Sequence, residues 1–208
     1  MESILFPLFH IAVLLAAVTI HELSHGLAAN AMGDTTAKNL GRLTLNPIRH
    51  LDLFGSLILP LMLYLVGFPV FGYAKPVPYN PLNLNDQRWG PAKVALAGPA
   101  SNVLLALLFG LVFRFLPDVF SSSLVPTLFV VIIYVNILLA VFNLFPIPPL
   151  DGHWILFSLL PRGWEWLKDV IYQYSIFLFV ALIVFGGSWL SALTQTLFQW
   201  ITGAQLPG

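Results

Sequence analysis

The sequence predicts an all-α polytopic membrane protein with about four crossing helices, a re-entrant segment and a short β-hairpin. Of its 208 residues, 58% are hydrophobic and 9% are charged, whereas soluble domains carry about 25% charged residues. The mean hydropathy of +0.87 points the same way. Most of the apolar residues also fall into runs near the roughly 20 residues that a crossing helix needs. We therefore expect a protein integral to the lipid bilayer.

The charged residues and the cysteine count exclude several classes of protein. Nine Lys and Arg balance nine Asp and Glu, so the chain lacks the basic footprint of a nucleic-acid-binding protein. It contains no cysteine, which excludes a disulfide framework and thiolate chemistry. The first apolar run has no basic stretch before it and no small-residue cleavage site, so we interpret it as a retained span.

The order of apolar and polar segments gives the predicted elements. The crossing helices are expected at 4–32, 93–116, 127–145 and 170–201, the last with a possible interruption at Gly186 and Gly187. The run 53–71 is also apolar, but it contains two glycines and two prolines. We predict that it enters the membrane and returns to the same side.

The remaining segments are polar or rich in proline. Alternation of Leu43 and Leu45 with Arg42 and Thr44 predicts a short strand within 33–52. Its free edge could pair with an extended peptide, although a simple connecting hairpin is the alternative. The prolines of 72–91 predict extended chain, 117–126 is expected to be a loop, and the tryptophans of 161–169 indicate an interfacial segment.

The first apolar run contains the pattern H-E-x-x-H at His21, Glu22 and His25. Ionisable side chains in a membrane span are unfavourable, so they indicate a function. His21 and His25 are four residues apart, and one face of a helix therefore presents both imidazoles. Two neutral imidazoles so placed can hold zinc, with Glu22 beside them as a general base. A chance occurrence of the pattern is the alternative, which the apolar setting disfavours.

A catalytic zinc site needs a third protein ligand. The candidates are His50, His153 and the acidic residues, and Asp151 is the strongest. It follows Pro146, Pro148 and Pro149, which break the run before it in an apolar setting where a lone carboxylate is unfavourable. Its alternative role is the N-cap of a following helix.

The distribution of basic residues predicts the topology, because Lys and Arg mark cytoplasmic loops. If 53–71 re-enters, eight of the nine basic residues share one side and only Arg114 lies opposite. If 53–71 crosses, the split is four against five. The re-entrant path therefore fits best, with the polar loops in the cytoplasm and both termini outside. It also brings His25, Asn102 and Asp151 toward one membrane face.

Three patterns then match one known family in order: 21–25 (HELSH), 98–102 (GPASN) and 143–152 (NLFPIPPLDG). The stretch 41–47 (GRLTLNP) matches as well. The sequence resembles the site-2 protease family of intramembrane zinc metalloproteases, in the compact prokaryotic branch without PDZ or CBS domains. The resemblance covers about 4–155.

The resemblance implies one zinc ion per chain, held by His21, His25 and Asp151, with Glu22 as the base. It also places Asn102 and Asn143 near the site, where they would position substrate or stabilise developing charge. It implies transmembrane protein substrates cut within or near a membrane helix, and a cell-membrane location with the site toward the cytoplasm.

We accordingly expect a single transmembrane metalloprotease domain over 1–208. Its core would be 4–155, followed by the interfacial segment and last span, 161–202. A membrane metal-ion transporter or metal-binding membrane protein is the alternative. A transporter needs polar residues through both halves of the membrane, and the side that carries Arg114 offers almost none.

Overall fold

The structure is a computed structural model that describes residues 2–68, 71–116, 124–161 and 163–205. Its helices are α1 (Glu2–Ala31), α2 (Thr36–Asn39), α3 (Leu59–Leu65), α4 (Gly90–Phe115), α5 (Leu124–Asn143), α6 (Gly152–Leu159), α7 (Glu165–Phe185) and α8 (Gly187–Thr202). A π-helical turn, Leu53–Ile58, leads directly into α3. Most of the loop predicted at 117–126 lies outside the described residues, as does Arg162.

Within the described residues, four helices are long and apolar enough to cross a membrane: Leu5–Ala31 of α1, then α4, α5 and α7. The number and the helical character of the predicted spans are therefore confirmed. Large apolar side chains cover much of the surface of these helices. In a bilayer this surface contacts lipid tails, which solvate it well.

Helix α4 lies at the centre of the bundle and packs against α1, α5, α6 and α8. One core cluster joins three of these helices through Ala106 of α4, Ile133 and Ile137 of α5, and Phe198 of α8. At the far end of α4, the guanidinium of Arg114 donates to the Trp200 carbonyl at 3.0 Å. The ends of α4 and α8 therefore meet on the side away from His21.

The last apolar run is divided into two helices, as its glycine pair allowed. Helix α7 ends at Phe185 and α8 begins at Gly187. Helix α8 packs against α4 and α5, whereas none of the most apolar window of α7 is buried. The last helix that packs into the bundle is therefore α8. Its 16 residues are fewer than those of the four candidate spans.

In the described part of the apolar run 53–71, the helix covers Leu53–Leu65, which is shorter than the candidate spans. The chain from residue 71 onward lies beside the start of this helix. The Tyr73 N–H donates to the Gly55 carbonyl at 3.0 Å, and the Lys75 N–H donates to the His50 carbonyl at 2.8 Å. Both ends of the segment therefore lie together, and its position relative to a bilayer stays a prediction.

The predicted β-hairpin is wrong for the part of the chain that the structure describes, since it contains no strand. The Thr44 N–H bonds locally to the Arg42 carbonyl at 3.1 Å. Leu43 packs against Gly26, whereas Leu45 is 65% exposed. The two leucines therefore share no buried face. Their alternation with polar residues does not mark a strand.

Candidate metal centre

Helix α1 presents the two histidines of the H-E-x-x-H pattern on one buried face. His21 and His25 are both buried, and their Nε2 atoms lie 3.0 Å apart. The four-residue spacing accounts for this, because residues i and i+4 of a helix are stacked on the same side. Two imidazole nitrogens therefore point at the same place.

The carboxylate of Asp151 completes the group. Its Oδ2 lies 3.1 Å from the Nε2 of His21 and 3.2 Å from the Nε2 of His25. Asp151 stands before α6 and makes no side-chain capping bond to that helix. Asp151 therefore occupies the N-cap position of α6 without capping the helix through its side chain. Among the described residues, these three form a group that could hold a metal ion.

The separations fit zinc. Ligands about 2.0–2.1 Å from a tetrahedral zinc ion lie roughly 3.3 Å from one another, and the three separations in the structure are 3.0, 3.1 and 3.2 Å. Two imidazoles and one carboxylate are a donor set that catalytic zinc uses. The donors and their spacing therefore match the ion.

A glycine keeps the space next to these atoms open. A Cβ added at Gly98 of α4 would lie 2.6 Å from the Nε2 of His21 and would also collide with the Nε2 of His25. The bare backbone of Gly98 therefore faces the place where the two imidazoles converge. Any side chain there would collide with both imidazole rings.

The other nitrogen of each imidazole is held by a hydrogen bond. The Nδ1–H of His21 donates to the Asn102 Oδ1 at 2.6 Å, and the Nδ1–H of His25 donates to the Val94 carbonyl at 2.7 Å. With a proton on Nδ1, each Nε2 keeps its lone pair for a metal. Helix α4 thus fixes the orientation of both rings.

Comparison with known proteins agrees with this geometry. A model of peptidase family M50 matches residues 9–125 and 118–186. YwhC of Bacillus subtilis (strain 168), whose name assigns it to the zinc metalloproteases, is 38% identical over 181 residues, which are 84% of this chain and 79% of YwhC. The chain belongs to peptidase family M50.

Two further relatives bear the name Rip2, and their names likewise assign them to the zinc metalloproteases. The protein of Mycolicibacterium smegmatis (strain ATCC 700084 / mc(2)155) is 34% identical over 148 residues. That of Mycobacterium tuberculosis (strain H37Rv) is 31% identical over 143 residues. Each match covers 69% of this chain but 54% of Rip2, so the chain spans about half the length of those relatives. No solved structure matches.

Membership of M50 confirms the resemblance to site-2 proteases. The chain is a zinc metalloprotease and a multi-pass membrane protein. Zinc is its metal, and His21, His25 and Asp151 are the residues that fit the ion. The family thereby favours the protease over the metal-ion transporter that the sequence left as an alternative.

The residue predicted as the general base, Glu22, lies on α1 between the two histidines. Its Oε2 accepts a hydrogen bond from the backbone N–H of Val77 at 2.8 Å. Val77 belongs to residues 74–80, which form neither helix nor strand and are called the strap below. The sequence predicted extended chain here but gave no reason to connect it with the site.

Three other residues singled out from the sequence lie outside the metal group. Asn143 donates to the Leu139 carbonyl of its own helix. The Nε2 of His50 bonds to the Thr44 carbonyl, and the Nδ1 of His153 bonds to the Leu150 carbonyl. Each of these bonds goes to a carbonyl three to six residues earlier in the chain. Neither histidine joins the ligand group.

Sequence reasoning missed two polar groups near the site. Asn136 of α5 is buried and accepts a hydrogen bond from the Asn102 Nδ2 at 2.9 Å. The hydroxyl of Tyr79 is buried and bonds to no group in the described part of the chain. Burial raises the pKa of this hydroxyl, as does the nearby Asp151 carboxylate, so it stays protonated. Asn136 could have been noticed in the sequence as a polar residue within the apolar run 127–145.

Proposed function

We propose that this protein hydrolyses a peptide bond within or near a transmembrane helix of membrane-protein substrates. One observation carries the proposal: the ligand atoms of His21, His25 and Asp151 converge inside a bundle of candidate membrane-spanning helices, and the helix with both histidines also carries Glu22. Ionisable groups in an apolar bundle are energetically unfavourable, so their presence indicates a function.

The depth of the site supports a substrate within the membrane. At 1.5 Å of rise per residue, His21 lies roughly 15 Å and His25 roughly 9 Å along α1 from its end at Ala31. The helix Leu5–Ala31 that carries them is apolar, and most of its most apolar window is exposed on the surface of the bundle. A peptide bond that reaches these residues would therefore approach from within or near the bilayer.

Each polar residue has a distinct proposed role. His21, His25 and Asp151 hold the zinc ion. When bound, zinc polarises a carbonyl group and lowers the pKa of water toward neutrality. Glu22 takes the proton from the attacking water and delivers it to the amine that leaves. The substrate would present its scissile carbonyl to this group of residues.

Asn102 acts through His21 in this proposal. Its Oδ1 accepts from His21, and its Nδ2 donates to the Asn136 Oδ1 and, at 3.3 Å, to the Ala17 carbonyl. Because these bonds engage both polar atoms, Asn102 is better suited to orient His21 than to contact an oxyanion. Asn143, at the end of α5, is kept as a candidate contact for the substrate.

We also propose that the site faces the cytoplasm and that both termini lie outside. Arg42 and Lys75 come together on the side of the bundle near Glu22. Arg114 lies at the other end with Trp200. A membrane path in which 53–71 enters and returns agrees with the closure of that segment at Gly55 and Tyr73.

The substrate helix has to unwind before hydrolysis. The amides of a membrane helix are hydrogen-bonded to one another and shielded from attack. We therefore expect a proline or glycine near the cleavage position to accelerate cleavage, because such residues weaken the helix.

The test is a cleavage assay in liposomes with a panel of single-span membrane proteins. Mass spectrometry of the products locates the cut, and paired substrates with and without a glycine pair in the span measure the effect of unwinding. The proposal predicts a cut within or near the span and faster cleavage of the weakened helix. Cleavage only in flexible loops far from the span would overturn it.

A further inference from the structure

The strap offers Glu22 a single backbone donor. Proline has no N–H, so Val77, which stands between Pro76 and Pro78, is the sole N–H donor of that tripeptide. Its N–H donates to the Glu22 Oε2 at 2.8 Å, and the valine itself is 5% exposed. Because both neighbours are prolines, Val77 is the residue that supplies this donor.

The N-terminal half of the strap is held by Arg42 and His50. The Nη2 of Arg42 donates to the Lys75 carbonyl at 2.9 Å and to the Pro76 carbonyl at 3.4 Å. Lys75 donates its own N–H to the His50 carbonyl at 2.8 Å. The chain is thus anchored immediately before Val77.

The C-terminal end of the strap is held by a buried carboxylate. The Asn80 N–H donates to the Asp34 Oδ2 at 2.8 Å, while the other oxygen of Asp34 accepts from Asn83 at 2.9 Å and from the Thr36 hydroxyl at 2.6 Å. Asp34 is fully buried. Both sides of Val77 are therefore fixed to the segment that follows α1.

Close packing on α1 brings the donor within reach. A Cβ at Gly26 would lie 2.8 Å from the Cγ1 of Val77. Gly26 is four residues after Glu22 and so lies on the same side of the helix. The missing side chain at Gly26 lets the strap approach the helix backbone next to the carboxylate.

We propose that Val77 is a positioning residue, whose backbone N–H holds the Glu22 carboxylate in one orientation for proton transfer. This inference rests on the proposed function of Glu22 as general base. A carboxylate has two oxygens, each able to accept more than one hydrogen bond. The N–H of Val77 engages Oε2 and leaves Oε1 to take the proton from water.

The physical gain is a carboxylate that does not have to be ordered during the reaction. Glutamate loses rotamer entropy when its side chain is fixed. A backbone donor in a proline-flanked strap has little freedom of its own and cannot titrate. The orientation is therefore set by the fold before substrate arrives.

The test removes the Val77 N–H and compares the result with removal of another N–H of the strap. Val77→Pro removes the N–H at a position that Pro78 already restricts to extended backbone. Lys75→Pro removes a strap N–H of the same kind that goes to His50, again before a proline. Val77→Ala keeps the N–H and shortens the side chain. The purified variants are assayed for kcat, KM, zinc per chain and melting temperature with a single-span substrate.

We expect Val77→Pro to lower kcat by about 100-fold with little change in KM and with zinc retained, since a misplacement of about 1 Å can have this effect. Lys75→Pro and Val77→Ala should keep most of kcat. In Glu22→Asp, whose shorter side chain falls short of the strap, adding Val77→Pro should lower kcat little further. An active Val77→Pro, or equal losses in Val77→Pro and Lys75→Pro, would overturn the proposal.

A second measurement does not depend on proteolysis. The sequence has two Pro–Val pairs, at Pro69–Val70 and Pro76–Val77, so labelling proline carbonyl carbon and valine nitrogen yields two amide signals by NMR. The Val77 signal is the one that Val77→Pro removes. It should move upfield in Glu22→Ala and stay in place in Lys75→Pro. If the wild type cleaves no substrate, the proposed function fails, whereas an amide signal indifferent to Glu22→Ala refutes the Val77 contact itself.

Discussion

The Oδ1 of Asn102 lies 2.6 Å from the Nδ1 of His21, inside the bundle and 81 residues away along the chain. This bond joins α4 to α1 at the metal ligand itself. Asn102 is fully buried and is held in turn by Asn136 and by the Ala17 carbonyl. Three helices therefore determine the orientation of one imidazole ring.

Removal of Asn102 should weaken zinc binding. In Asn102→Ala, His21 loses the acceptor that fixes its tautomer, and such losses lower metal affinity about 10–100-fold. Zinc titration against a competing chelator measures the change. The matched control is Asn143→Ala, because Asn143 bonds within its own helix. Equal affinities for the Asn102 variant and the wild type would contradict the role given to this asparagine.

A single methyl group at Gly98 should abolish zinc binding. The Cβ of Gly98→Ala would collide with the Nε2 atoms of both histidines. Gly110→Ala is the control on the same helix, where the added Cβ meets the Ile201 side chain far from the site. We expect zinc loss only in the first variant, measured as zinc per chain. Retention of one zinc in Gly98→Ala would show that the ion lies elsewhere.

Asp151 and His153 are two residues apart and should behave differently. Asp151→Ala removes a ligand atom that lies 3.1–3.2 Å from both imidazoles, so zinc content should fall. His153→Ala removes a ring whose Nδ1 bonds to the Leu150 carbonyl, so zinc content should stay near that of the wild type. The opposite pattern would make His153 the third ligand.

The stabilising effect of Asp34 should disappear in acid. Burial alone would raise the pKa of this carboxyl, but hydrogen bonds from Thr36, Asn83 and Asn80 hold the pKa below its ordinary value of 3.8. A lowered folded-state pKa stabilises the protein above the unfolded value, and the effect is lost as pH falls through the folded value. Asp34→Asn should therefore melt at a lower temperature than wild type at neutral pH.

Melting curves of wild type and Asp34→Asn between about pH 7 and pH 3 test this linkage. The difference in melting temperature should shrink as the pH falls below the ordinary value for aspartate. A difference that grows in acid would mean that the carboxylate is not the stabilising form.

The parts of the site that sequence could predict follow from local geometry. The four-residue spacing of His21 and His25 is enough to put both rings on one helix face. Asp151 was found by a different argument, since a carboxylate in a proline-broken apolar setting needs a partner. The convergence of these three residues depends on how α1 and the chain after α5 pack, which the structure supplies.

The parts that sequence did not predict depend on contacts between distant segments. The bond between Val77 and Glu22 joins residues 55 positions apart, and nothing in the local pattern of either segment indicates it. The strand expected near Leu43 and Leu45 failed because these side chains have different partners. Leu43 covers Gly26, whereas Leu45 lies on the surface. Alternation over a few residues cannot distinguish these arrangements.

The central claim is that a zinc ion held by α1 and Asp151 acts with Glu22 to hydrolyse membrane substrates. The most direct measurement compares wild type with Glu22→Gln in detergent, recording zinc per chain and cleavage of single-span membrane proteins. The account predicts about one zinc per chain in both proteins and cleavage by wild type alone, because the ligand set is intact and only the base is lost. Cleavage by Glu22→Gln at the wild-type rate, or zinc absent from both proteins, would contradict it.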